Sequence, residues 1–186
     1  MKSKRYRKVL NLFRKRGFEV IEVRIKWKNN TMTDYVNQFL HNYKPKKESY
    51  LFGFSFGAVI ALLSAKKAMP ECLILCSLSP YFREDLPMTR KIWGKTIDKY
   101  FKKKDLDDLK KYSFQKVAKG VRCKTILLAG DMECVIRGKN NPIVEDRARD
   151  AKRRIKNSHL IIVKNGKHDI SQKEYNAALR KVINRL

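Results

Sequence analysis

The pentapeptide Gly-Phe-Ser-Phe-Gly at positions 53–57 constrains the fold of this chain more than any other feature. The apolar run 50–52 precedes it, and the helix-forming run 58–63 follows it. A Gly-x-Ser-x-Gly between a strand and a helix is typical of a nucleophile elbow, a strained turn that lifts the serine hydroxyl above a sheet. We expect both glycines to be required, because strand and helix approach too closely there for a Cβ atom. The alternative is an ordinary strand-to-helix turn with a capping serine.

Residues suited to act as an acid and a base follow two later strands. The runs 125–129 and 160–163 are apolar and β-branched, which predicts buried strands. Asp131 and Glu133 come directly after the first run, and His168 comes after the second. Open parallel sheets bind their ligands at the carboxyl ends of strands. The chain order serine, acid, histidine at such ends is that of a hydrolytic triad.

Three segments carry a resemblance to a known family. They are the elbow at 53–57, the segment Gly-Asp-Met-Glu-Cys-Val at 130–135 and Gly-Lys-His at 166–168. On these, the chain from about residue 3 to its end resembles the α/β-hydrolase superfamily. The family spacing implies that the acid is Glu133, three residues after the glycine, with Asp131 as the alternative.

The resemblance also implies a role for each residue. Ser55 would be the nucleophile and His168 the base that takes its proton. Glu133 would fix the imidazole tautomer. The N–H of Phe56 would donate to the oxyanion, and Phe54 and Phe56 would line the substrate site.

One part of the family pattern is missing from the sequence. Helical spacing predicts a first helix over about 3–16 and alternation predicts a strand over 18–25, but no strand and His-Gly loop precede that helix. The usual second oxyanion donor comes from such a loop. We therefore expect the strand at 18–25 to pair with that at 49–53 in a five-stranded sheet, or another chain to supply a strand. With Phe56 as the main donor, we expect a slow enzyme.

Alternating helix and strand patterns predict a three-layer α/β/α fold with a mainly parallel sheet of about five strands. Residues 1–186 are predicted to form one domain. The segment 81–122 lacks strand patterns and is rich in aromatic residues, so we expect it to form a small helical cap over the site.

The chain carries 44 Lys and Arg against 18 Asp and Glu, a net charge of +26. Such a charge can attract nucleic acid or an anionic membrane, most directly through the basic first helix. The excess is spread along the chain, however, which favours a solvated surface over a dedicated binding element. The four cysteines have neither metal-site nor disulfide-framework spacing, which predicts a reduced, cytoplasmic protein.

Together these features predict a serine hydrolase that cleaves an ester, thioester or related acyl bond of a small-molecule substrate. Neither a cofactor nor a metal is predicted, since the sequence has no dinucleotide, phosphate-cradling or metal-ligand motif. Two alternatives stay open. One is a catalytically silent binding protein of hydrolase type, and the other is a basic nucleic-acid-associated module on the same fold. The sequence does not indicate the oligomeric state.

Overall fold

A computed structural model of the protein describes residues 4–44, 48–94, 101–136 and 139–186. The helices in these ranges are α1 (Lys4–Arg14), α2 (Met32–Asn42), α3 (Phe56–Ala68), α4 (Leu86–Trp93), α5 (Lys103–Leu109), α6 (Phe114–Lys119), α7 (Ile143–Arg154) and α8 (Lys173–Ile183). The strands are β1 (Tyr50–Phe54), β2 (Cys72–Cys76), β3 (Lys124–Gly130), β4 (Val135–Ile136), β5 (Lys139–Asn140) and β6 (Ser158–Val163).

Four strands form one parallel sheet in the order β1-β2-β3-β6. In its register Gly53 pairs with Leu75, Leu75 with Leu127, and Leu127 with Leu160. Because all four strands run the same way, their carboxyl ends meet at one edge. Strand β2 is buried along its whole length, as expected for a parallel strand with both faces covered.

Helices cover both faces of this sheet. Leu73 and Leu75 face a core shared with α2, α3 and α7. Ile74 and Cys76 face the opposite core, which α1 and α8 complete. Alternate residues of one strand thus supply opposite cores, which gives the three-layer α/β/α arrangement predicted from the sequence.

The strand predicted over 18–25 is not present. This segment forms no backbone ladder, and β1 pairs only with β2 among the described strands. Side-chain packing holds the segment instead: the Phe18 ring lies edge-on to Tyr50 at 5.2 Å. The alternation that predicted a strand therefore reflects this packing, and the expected pairing with 49–53 is wrong. The sheet has four strands instead of about five.

The segment between β2 and β3 is helical, with α4, α5 and α6 in its described part. The rings of Tyr81 and Phe101 pack against Phe56 at 5.5 and 6.0 Å. This segment therefore reaches the residue that follows the elbow serine. Residues 95–100 lie outside the described ranges, and a cap role for 81–122 stays a prediction. None of the described helices combines the length and apolar character needed to cross a bilayer.

Candidate active site

The elbow at the end of β1 has the strained geometry that a nucleophile turn requires. Ser55 has φ 56° and ψ −122°, a conformation that costs a non-glycine residue roughly 1–3 kcal/mol. A Cβ on Gly53 would lie 2.4 Å from the carbonyl oxygen of Gly57, so no side chain fits there. A Cβ on Gly57 would meet nothing within 4 Å. The expectation that close approach requires both glycines is therefore wrong for Gly57, which already lies in the first turn of α3.

Three side chains predicted from the sequence meet above the carboxyl edge of the sheet. Ser55 Oγ lies 2.9 Å from His168 Nε2, and His168 Nδ1 lies 2.8 Å from Glu133 Oε2. Because Glu133 contacts Nδ1 of the His168 ring, the geometry favours Glu133 over the alternative, Asp131, as the carboxylate partner of His168. The His168 side chain keeps 39% of its surface exposed, whereas that of Glu133 keeps 1%. His168 thus faces solvent, while Glu133 is buried beneath it.

Two glycines bring the loops that carry Glu133 and His168 together. A Cβ on Gly130 would lie 2.2 Å from the Gly166 carbonyl oxygen, and a Cβ on Gly166 would lie 2.8 Å from Gly130 Cα. The Met132 N–H also donates to the Gly166 carbonyl at 3.0 Å. Because the loops after β3 and β6 touch backbone to backbone, Glu133 and His168 are held within hydrogen-bond distance.

The second oxygen of Glu133 is saturated by donors that the sequence did not reveal. Glu133 Oε1 accepts from the Gly130 N–H at 2.6 Å, from Ser77 Oγ at 2.9 Å and from the Tyr175 hydroxyl. Burial raises the pKa of Tyr175, and the negative charge of Glu133 raises it further, so this hydroxyl keeps its proton. Ser77 has φ 53°, a left-handed conformation directly after β2. Hydrogen bonds to the charged form stabilise a carboxylate, and these fix its orientation toward His168.

A buried serine, Ser79, lies beside Ser55. Ser79 Oγ is 3.2 Å from Ser55 Oγ, and Ser79 is only 4% exposed. Phe56, the first residue of α3, has no partner for its N–H within the helix. Ser77 and Ser79 both follow the carboxyl end of β2, which was the available sequence signal, but their partners are distant along the chain.

Aromatic rings surround the two phenylalanines of the elbow. The Phe54 ring lies 5.0 Å from the His168 ring and 6.2 Å from that of Tyr175. Phe56 points to the other side, where it lines a cavity of about 370 Å³. Its other lining residues are mostly apolar: Trp27, Asn30, Thr31, Met32, Tyr35, Phe101, Asp105 and Leu109.

The four cysteines are free thiols outside this hydrogen-bonded site. Burial raises the pKa of each, to about 11 for Cys72 and well above the usual value for the fully buried Cys76. Buried thiols with raised pKa values are poor nucleophiles. Within the described ranges, no three His, Cys, Asp or Glu side chains are grouped so that they could hold a metal ion.

Comparison with solved structures identifies the architecture. Alpha/beta hydrolase domain-containing protein 10 from mouse superposes with a TM-score of 0.72 at 14% identity, over 100% of this chain and 84% of that one. MGS-MChE2, an alpha/beta hydrolase enzyme from the metagenome of Mar Chica lagoon sediments in Morocco, gives 0.69 at 16% identity, over 100% and 86%. The protein has the α/β-hydrolase fold.

A bromoperoxidase from Bacillus anthracis shares the α/β-hydrolase fold with the chain as well, with a TM-score of 0.66 at 14% identity over 98% of this chain and 87% of that one. No protein-family model and no curated protein sequence matches the chain. At such identities the likeness concerns the fold, and because one fold hosts many reactions, function has to be argued from the site.

Proposed function

We propose that this α/β-hydrolase-fold protein is a serine hydrolase that cleaves an ester, thioester or related acyl bond through an acyl-enzyme. The observation that carries the proposal is the continuous hydrogen-bonded series Ser55–His168–Glu133, with distances of 2.9 and 2.8 Å. Nucleophile and base within hydrogen-bond reach, and a third group that orients the base, are the geometric signature of an activated serine.

Each residue has one task in the reaction. Ser55 Oγ attacks the acyl carbon while His168 Nε2 takes its proton, and the carbonyl electron pair moves onto oxygen. The oxyanion is stabilised by the Phe56 N–H at the start of α3. His168 then gives its proton to the leaving group as the bond to that group breaks. Water, activated by His168 in the same way, releases the acid from Ser55.

Glu133 supports this cycle without touching the substrate. Its Oε2 atom accepts from His168 Nδ1, which leaves Nε2 unprotonated and facing the serine. The donors on Oε1 hold the carboxylate while His168 gains and loses its proton. This arrangement also weighs against a catalytically silent binding protein, because such a protein needs none of these contacts.

The aromatic cavity beside Phe56 suggests the acyl group. The cavity of about 370 Å³ adjoins the site through Phe56, which directly follows Ser55, while neither Ser55 nor His168 lines it. Trp27, Tyr35 and Phe101 line it with rings, which favours an uncharged, apolar group. We therefore expect p-nitrophenyl esters of medium chain length to react faster than the acetate.

The test is labelling with a fluorophosphonate, which modifies activated serines. We expect wild type to be labelled, with Ser55 as the modified residue, and Ser55→Ala to be unlabelled. Ser64→Ala is the control, since Ser64 is a fully buried serine of α3 whose hydroxyl has no hydrogen-bond partner among the described residues. Wild type that resists the probe while folded would support a silent binding protein instead.

Ester hydrolysis provides the second part of the test. Single replacement of Ser55 or His168 by alanine should abolish most turnover, and the double replacement should remove little more, because triad members act as a unit. Additive losses would show that the activity arises elsewhere.

A further inference from the structure

Ser79 occupies a position that the triad itself does not explain. Its hydroxyl lies 3.2 Å from the nucleophilic oxygen of Ser55, and it is almost fully buried in the segment after β2. A buried hydroxyl that only fills space has no effect on the rate of a reaction. The Ser79 hydroxyl, by contrast, lies close enough to Ser55 Oγ to donate a hydrogen bond to an atom that takes part in the reaction.

Proton accounting decides the direction of this hydrogen bond. His168 Nδ1 faces the Glu133 carboxylate, which can only accept, so the neutral ring carries its proton on Nδ1. His168 Nε2 is therefore an acceptor, and the Ser55 hydroxyl donates to it. Because Ser55 has only one proton, its contact with Ser79 requires that Ser79 donates and Ser55 accepts.

We infer that Ser79 is a further catalytic residue, the side-chain oxyanion donor that complements the Phe56 N–H. This inference rests on the proposed hydrolase function. When the bond between Ser55 Oγ and the acyl carbon forms, the Ser55 proton moves to His168 and the carbonyl electron pair moves onto oxygen. Ser55 Oγ becomes an ester oxygen, which accepts hydrogen bonds weakly, and the new oxyanion is bonded to the same carbon. The Ser79 hydroxyl rotates from the first oxygen to the second and returns when the leaving group departs.

Such a donor would complete a two-donor oxyanion hole together with the Phe56 N–H. Serine hydroxyls are among the side chains that complete oxyanion holes, and removal of one donor typically lowers kcat by about 10²–10³. In a buried position a single neutral donor acts on developing charge with little competition from water. The sequence predicts Phe56 as the main donor, whereas this inference gives the site two donors, and the rate of Ser79→Ala distinguishes the two.

The experiment compares Ser79→Ala with wild type on a p-nitrophenyl ester and on the matching thionoester, with Ser64→Ala as the control. Ser79→Ala should lower kcat for the ester by about 10²-fold or more with little change in KM. Because sulfur accepts hydrogen bonds poorly, the ester-to-thionoester rate ratio should also fall in Ser79→Ala. Ser64→Ala should leave the rate and the ratio unchanged.

The outcomes separate the inference from the proposed function. A Ser79→Ala rate within about twofold of wild type, or a lower rate with an unchanged ester-to-thionoester ratio, would overturn the oxyanion role and leave the hydrolase intact. In the second case Ser79 would only position Ser55. If wild type and Ser55→Ala turned over neither substrate, the proposed function would fail, and the role of Ser79 with it.

Discussion

The two glycines of the elbow should respond to alanine in opposite ways. A Cβ on Gly53 would lie 2.4 Å from the Gly57 carbonyl oxygen and 2.7 Å from both the N and Cα atoms of Ala58. Ordinary contact begins near 3.4 Å, so the first turn of α3 would have to move by 1.0 Å, the difference between 3.4 and 2.4 Å. Backbone cannot rotate away as a side chain can. We therefore expect Gly53→Ala to lower the free energy of unfolding by about 3 kcal/mol, the upper end for overpacking.

The same shift acts on the reaction. It displaces Ser55 and the Phe56 N–H, and misplacement of reacting groups by about 1 Å can cost 10²-fold in rate. In Gly57→Ala the new methyl group meets nothing within 4 Å, and alanine favours helix over glycine by up to about 1 kcal/mol. This variant should match or exceed the stability of wild type and retain its activity.

Urea unfolding monitored by tryptophan fluorescence gives the free energies, and kcat on a p-nitrophenyl ester gives the rates. The reasoning is refuted if Gly53→Ala is as stable as wild type, or if Gly57→Ala is the more damaging replacement. Equal losses in both variants would show that motif membership, and not the distance to backbone atoms, determines the effect.

Three further predictions concern contacts around the site. Tyr175→Phe removes a hydrogen bond to the buried carboxylate of Glu133, worth about 1.5–3 kcal/mol. This variant should lower kcat by about 10–10²-fold with KM unchanged. An unchanged kcat would show that the other donors suffice to hold Glu133. Arg147→Met leaves Asp85 buried without its ion-pair partner and should lower the free energy of unfolding in urea by about 3–5 kcal/mol. Arg149→Met removes an exposed ion pair with Glu145 and should lower it by less than about 1 kcal/mol. Similar losses in the two variants would contradict the role of burial. Iodoacetamide at mildly alkaline pH should modify the native cysteines slowly and spare activity, because burial raises their pKa values; rapid alkylation by mass spectrometry with loss of turnover would contradict this.

Much of the fold was predictable because its signals are local. Apolar β-branched runs predicted β3 and β6, and the polar residues after them predicted the loops that carry Glu133 and His168. The strand expected over 18–25 does not form, for a reason that a local sequence pattern cannot show. A strand needs backbone partners, and alternation alone cannot distinguish a laddered segment from one packed through Phe18 onto Tyr50.

The site likewise contains some residues that local motifs predict and others that they do not. Ser55, Glu133 and His168 stand in recognisable motifs after strands, so their approach could be predicted from chain order. Tyr175 reaches Glu133 from α8, 42 residues further along the chain. Ser79 lies 24 residues from Ser55. Contacts of this kind depend on how strands and helices pack, which residue spacing does not encode.

The most direct test of the central claim is capture of the acyl-enzyme. Wild type mixed with p-nitrophenyl acetate and quenched rapidly in acid should carry one acetyl group, located by peptide mass spectrometry on Ser55 and lost as turnover proceeds. Ser55→Ala should carry none and release nitrophenol only at the background rate. Turnover of wild type without an adduct on Ser55, at a rate that Ser55→Ala retains, would contradict the account.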